Sequence, residues 1–124
     1  LAVAGQFDAR LIYARKSQSR TMTGTYYVAE AISRTRGTAS DLMVDRRFLG
    51  VQDQVLIVDD FLATGATLSA LSRLVAESGA DLCGIGCVIE KPAEQGRSVL
   101  GDLDIPVITL AKILFEDDDL QVMP

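Results

Sequence analysis

Residues 55–71 read VLIVDDFLATGATLSAL, and the order of chemistry within that stretch decides the fold. Val55, Leu56, Ile57 and Val58 are apolar at every position, the pattern of a strand in a parallel sheet covered on both faces. Asp59 and Asp60 follow, where that strand is expected to end. Ala63, Thr64, Gly65, Ala66 and Thr67 carry little side-chain bulk, so a tight turn fits there. Leu68, Leu71, Leu74 and Val75 then recur at helical spacing, and Gly79 stands where a helix C-terminal glycine belongs. The spacing predicts a helix from about Gly65 to Ser78. A strand, an acid pair, a small-residue turn and a helix N-terminus together make a place for a ligand.

The chemistry of that place follows from its residue types. A turn without bulky side chains exposes successive backbone N–H groups, and the helix behind it adds a positive dipole end. A phosphate suits such a cradle, with the Thr64 and Thr67 hydroxyls as further donors. The plainer alternative is an ordinary capped helix with Thr64 as its cap. Acids beside a phosphate repel it, so Asp59 and Asp60 must meet hydroxyl groups or sit near a metal. A sugar phosphate meets both demands.

Strand and helix signals alternate along the rest of the chain. Short apolar strands are expected at Leu11–Ala14, Tyr26–Ala31, Asp41–Val44, Ile85–Ile89 and Ile105–Leu110, with a short helix over roughly 94–101. The polar stretch SQSRTMTGT, residues 17–25, reads as a mobile loop, and RTRG at 34–37 as a turn. Strands at 55 and 85 around one helix predict a parallel pair. Arg15-Lys16, Asp59-Asp60 and Glu90-Lys91 each follow a strand, and the carboxyl ends of parallel strands share one edge. Three charged pairs are therefore expected at one crevice. A single such pair would mean only that a strand end meets water.

Composition narrows the function classes. The 124 residues suit one α/β domain with a real core, and no apolar run approaches the ~18 residues of a membrane span. No basic segment followed by an apolar one opens the chain, so a cytoplasmic protein is expected. Leu1 lies within an apolar stretch and is not Met, which suggests a fragment. Histidine is absent, which removes His-based triads and most zinc sites. Cys83 and Cys87, four apart in a strand, should share one face as buried structural thiols. The net charge is −5, but residues 1–50 hold eight basic and four acidic side chains, and the remainder four basic and thirteen acidic. The basic half could face an anion, while the overall balance argues against a nucleic-acid surface. The run Glu116-Asp117-Asp118-Asp119 reads as a solvated turn. Receiver domains also contain VLIVDD, but they need more chain after the strand than the 64 residues following Asp60. The lone Gly84-Ile85-Gly86 lacks the third glycine of a dinucleotide fingerprint.

The segment VLIVDDFLATGAT, residues 55–67, resembles the phosphoribosyl pyrophosphate signature of the type I phosphoribosyltransferases. YARK at 13–16, ahead of the polar loop, and GIGCVIEKPAEQGRSVL at 84–100 extend the likeness. Within that family the three segments most resemble the bacterial enzymes acting on xanthine, with the adenine enzymes second. The resemblance implies a type I phosphoribosyltransferase fold: a mostly parallel central sheet flanked by helices, with a flexible loop after the first strand. It implies one domain over residues 1–124, incomplete at its N-terminus, because the family's opening strand, pyrophosphate turn and hood have no counterpart here.

The same resemblance implies site roles. Asp59 and Asp60 would hold the ribose hydroxyls, and Ala63, Thr64, Gly65, Ala66 and Thr67 would wrap the 5-phosphate. Arg15 or Lys16 would neutralise pyrophosphate, with Arg20 joining on loop closure, and Asp59, Asp60 and Lys16 would be the catalytic set. Lys91 would donate to the 6-oxo group of a purine. Magnesium would arrive on the phosphoribosyl pyrophosphate substrate, with no dedicated protein site. Small molecules and a second copy of the chain are the implied partners, without nucleic acid or membrane. Ala63 departs from the hypoxanthine-guanine enzymes, which carry a carboxylate there. The rival class is a purine repressor that senses phosphoribosyl pyrophosphate without turnover, and it would carry a DNA-binding domain ahead of Leu1.

Overall fold

The computed structural model describes residues 1–17, 25–32, 39–116 and 119–124. The loop expected at 17–25, with Arg20, and the turn at 34–37 therefore lie almost wholly outside the described residues. After a short exposed helix, α1 (Ala2–Gln6), the strands form two sheets. The first is antiparallel, ordered β1 (Arg15–Ser17), β3 (Ala39–Asp45), β2 (Tyr26–Ile32). The second runs β4 (Gln54–Leu62), β5 (Asp81–Glu90), β6 (Val107–Glu116), β7 (Asp119–Met123). β4, β5 and β6 are parallel, and β7 returns antiparallel on β6. The α/β class and the parallel pair around one helix are as the pattern required.

That helix, α2 (Ala66–Ser78), packs against β2, β3, β4 and β5 and so joins the two sheets. Its apolar stripe explains why. Leu68, Leu74 and Val75 are buried, and Leu71 packs on the same cluster, with Ile57, Leu62, Ile85 and Cys87 from the parallel sheet and Leu42 and Val44 from β3. Gly79 ends the helix at φ +80°, donating its N–H to the Ala76 carbonyl, as a left-handed terminal glycine should. Ser72 and Ser78, buried on the helix, satisfy their hydroxyls on the carbonyls of Leu68 and Val75.

Several expectations are corrected. Leu11–Ala14 is not a strand: among the described residues nothing pairs with it, and the ladder to β3 begins at Arg15↔Met43. The central strand continues through the acids to Leu62 because its pairing with β5 persists at Asp59↔Cys87, Phe61↔Ile89 and Leu62↔Glu90. Nor is it covered on both faces. Ile57 is buried, but Leu56 and Val58 are exposed, as are Val88, Ile108 and Leu110 on the neighbouring strands. Among the described residues only α2 lies on this sheet as a long helix, and it covers one face.

The cysteines do not share an environment either: Cys87 is buried and Cys83 exposed. Val55 pairs with Leu82 and Leu56 with Gly84, so Cys83 is an extra residue in β5, a bulge that breaks the alternation. The helix expected over 94–101 is broken into a 3-10 turn at Pro92–Glu94, a single turn α3 (Gly96–Val99) and a second 3-10 turn at Gly101–Leu103. Gln95, at φ +60°, is the break. The last expected strand starts later and runs longer, to Glu116. β7 was not foreseen; all five of its residues are exposed, so no alternation marks it. The middle of the acidic run, 117–118, falls outside the described residues.

Leu74 is 1% exposed at the centre of the α2 contact. Leu74→Ala is expected to cost about 2–5 kcal/mol of stability. Chemical denaturation of the variant against the wild type checks it.

Candidate active site

Strand β4 delivers the acids and α2 begins four residues after it ends, so the turn between them has little freedom. Gly65 is the residue that makes the corner. It is the N-cap of α2 at φ +82°, a left-handed conformation, and as a glycine it offers no side-chain cap of its own. Thr64 is thus not the cap that the plain-helix alternative supposed. Its hydroxyl accepts from the Ala66 N–H at a loose 3.4 Å. The first intrahelical bond runs from Ser69 N–H to the Gly65 carbonyl at 2.8 Å. Helix geometry leaves the amides of Ala66, Thr67 and Leu68 without carbonyls four residues earlier in the helix, so they face the turn. A cleft lined by Thr64, Ala66, Ser69, Arg73, Ile32 and Val99 opens beside it. Arg73 donates from its guanidinium to the Glu30 carbonyl, which ties α2 to β2.

The acid pair is held by its own backbone. Asp60 N–H donates to Asp59 Oδ1 and Phe61 N–H donates to Asp60 Oδ1, both at 2.8 Å. Asp59 is half-buried and Asp60 exposed. Burial is the main cause that pushes the Asp59 carboxyl above the ordinary aspartate range, and the Asp60 charge beside it adds to this. The Lys16 ammonium pulls weakly the other way. Beneath the pair, burial first and the Asp59 charge second raise the Cys87 thiol to about 11. It therefore stays a protonated, inert thiol at neutral pH.

The three charged pairs do not all converge. Lys16 lies near enough to Asp59 to act on it, although β1 belongs to the antiparallel sheet and not to the edge shared with β4. Arg15, its neighbour in the strand, instead acts on Asp45. Lys91 stands just past β5 with Nζ 5.1 Å from the centre of the Phe61 ring, a cation–π contact, and its N–H donates to the Leu62 carbonyl. Glu90 turns away into the protein. Its side chain is 5% exposed and receives both arms of the Arg97 guanidinium. Lys16 thus lies beside Asp59, Lys91 lies over Phe61, and Glu90 is taken up by Arg97. Phe61 and Gly96 at the same place were not picked out from the sequence. An aromatic residue directly after an acid pair was the one signal for Phe61.

A strand, an acid pair, a glycine-cornered turn and a helix N-terminus on a mostly parallel sheet define a phosphoribosyltransferase-type domain. Residues 2–119 match the phosphoribosyl transferase domain family. The chain belongs to that family, with its type I fold. The xanthine phosphoribosyltransferase of Deinococcus deserti is 45% identical over 95% of this chain and 61% of its own length. That of Lacticaseibacillus casei is 38% identical over 100% of this chain and 65% of its own. The adenine phosphoribosyltransferase of Rhodothermus marinus superposes with a TM-score of 0.77 at 27% identity, covering 90% of this chain and 60% of that one. This chain therefore spans a little over three fifths of the length of such relatives. No helix among the described residues is long and apolar enough to cross a membrane.

The raised carboxyl of Asp59 has a consequence for stability. A carboxyl whose folded pKa lies above its unfolded value disfavours folding once ionised: the stability it contributes is present below the ordinary aspartate range and lost as pH rises through the folded value. Asp59→Asn keeps an acceptor for the Asp60 N–H but carries no charge. The variant is expected to be the more stable form at pH 7, with the gap closing as pH falls toward 4. Denaturation midpoints at the two pH values measure this.

Proposed function

We propose that the protein transfers the ribose 5-phosphate group of phosphoribosyl pyrophosphate to a purine, with xanthine as the base, giving xanthosine monophosphate and pyrophosphate in purine salvage. One observation carries the reading: Asp59 and Asp60 run directly into a turn cornered by left-handed Gly65 at the start of α2. That is a hydroxyl-binding pair next to a phosphate cradle on one continuous backbone. The 38–45% identity to xanthine phosphoribosyltransferases supports the choice of base. Residues 1–124 are then part of a single transferase domain, acting on small molecules as a cytoplasmic homodimer without nucleic acid or membrane, as the family resemblance implies.

In this reading the 5-phosphate sits on the Ala63–Thr67 turn and the ribose hydroxyls donate to Asp59 and Asp60. Pyrophosphate carries its magnesium in as part of the substrate. The bond from the ribose anomeric carbon to pyrophosphate oxygen breaks, and a purine ring nitrogen takes that place and releases its proton to solvent water. Positive charge grows on the ribose as pyrophosphate leaves, so the ionised acids stabilise it while Lys16 neutralises the leaving group. Ala63 offers no group to take the purine proton. Lys91, oriented over Phe61, donates to the 6-oxo oxygen.

A second reading, transfer to adenine, draws on the fold likeness to the Rhodothermus marinus enzyme. Lys91 separates the two, because adenine presents a donor where xanthine presents an acceptor. A site that hydrogen-bonds one group rejects the analogue lacking it. The whole protein is expected to turn over xanthine in preference to adenine. Lys91→Ala should lower kcat/KM for xanthine by about a hundredfold or more while phosphoribosyl pyrophosphate still binds. Steady-state assays with both bases, and calorimetry with the ribosyl substrate, check these outcomes. Equal use of xanthine and adenine by the wild type would overturn the choice of base.

A further inference from the structure

The phosphate turn is not held by its neighbours in sequence alone. Gly96, the first residue of α3, packs backbone against backbone on it. A Cβ at Gly96 would lie 2.2 Å from the Ala63 carbonyl oxygen, 2.8 Å from the Gly65 amide nitrogen and 2.9 Å from a Leu62 methyl. The contact is reciprocal, since a Cβ at Gly65 would lie 2.9 Å from the Gly96 carbonyl oxygen. Gly65 also needs its left-handed φ, whereas Gly96 has none, so at Gly96 space alone requires glycine.

Gly96 is fixed in turn by the next residue. Arg97 Nε donates to Glu90 Oε1 at 3.0 Å, one terminal nitrogen donates to Oε2 at 2.8 Å, and the other to the Val107 carbonyl at 2.7 Å. The Thr109 hydroxyl donates to the same Oε2 at 2.9 Å. A two-pronged guanidinium on a buried carboxylate has a fixed geometry that a lysine cannot reproduce. The Arg97 bonds hold the Glu90 carboxyl below the usual glutamate range, so the pair stays charged. α3 is thereby tied to the carboxyl end of β5 and to the start of β6.

From this geometry we infer that Gly96, anchored through Arg97 and Glu90, is a positioning residue for the phosphate turn. By closing on the Ala63 carbonyl and the Gly65 amide it sets the curvature of the turn and so the aim of the N–H groups at the 5-phosphate. The inference rests on the proposed phosphoribosyl site. A merely structural ion pair would change the stability of the protein when broken and leave phosphate affinity alone. A positioning contact changes affinity in a protein that is still folded, because small displacements of a preorganised site are costly.

The test compares ribose 5-phosphate affinity, by calorimetry, in the whole wild-type protein and in Gly96→Ala, Arg97→Met and Arg97→Lys. Gly96→Ala and Arg97→Met are each expected to lose about tenfold in affinity, and Arg97→Lys about threefold. KM for phosphoribosyl pyrophosphate should rise in the same order while KM for the purine base stays put. Folded Gly96→Ala and Arg97→Met proteins with wild-type affinity would overturn the inference. Should those two fail to fold, Arg97→Lys, the mildest change, decides by the same measure. A wild type that binds no ribose 5-phosphate overturns the proposed site itself, and the inference with it.

Discussion

Gly65 stands at φ +82° between the end of a strand and the start of a helix, and the arrangement around the turn depends on that one backbone conformation. A residue with a Cβ would pay twice there, once for the left-handed backbone and once for the 2.9 Å approach to the Gly96 carbonyl. Because the corner is so tight, β4 and α2 cannot be separated by a longer loop without moving the helix. α2 in turn is the element on which both sheets pack. The same corner that aims the amides of the helix N-terminus therefore also sets how the core is assembled. Stability and the candidate site share one constraint.

The electrostatics work against that economy in an informative way. Burial first, and the neighbouring Asp60 charge after it, make Asp59 hold its proton more tightly than an ordinary aspartate. Each acid recovers a hydrogen bond from the following amide, and among the described residues Lys16 pulls weakly the other way on Asp59. Such a cost persists where a ligand needs the charges, and functional sites are where it is most often found. Glu90 is the contrast. It is buried more deeply, yet it is paired on both oxygens, and its carboxyl is shifted down. The first acid is open and shifted up, the second paired and shifted down.

Much of the fold was legible because it rested on period and on glycine chemistry. The apolar spacing of Leu68, Leu71, Leu74 and Val75 and the terminal Gly79 marked α2 to within a residue. The parallel pairing followed from a strand–helix–strand order. Features created by pairing partners left no local mark. Leu11–Ala14 has the composition of a strand but no strand partner among the described residues, and the exposed residues of β7 pair with β6. The bulge at Cys83 shows the same limit: one extra residue reverses the faces, and only the register against Val55 and Leu56 reveals it. The apolar run at 55–58 did predict two buried faces, and it carries apolar residues on both. Only the side facing α2 is covered by the described residues, so composition recorded a capacity for burial rather than burial itself.

The site was legible to the extent that it lies on one continuous segment. Asp59 through Thr67 could be read because strand, turn and helix follow each other without a break. The flanking charged pairs could not, because the tertiary partner of each side chain decides where it goes. Arg15 acts on Asp45 while Lys16 acts on Asp59. Glu90 enters the Arg97 pair while Lys91 reaches over Phe61. Within each doublet the two members meet different partners, and those partners lie elsewhere in the sequence.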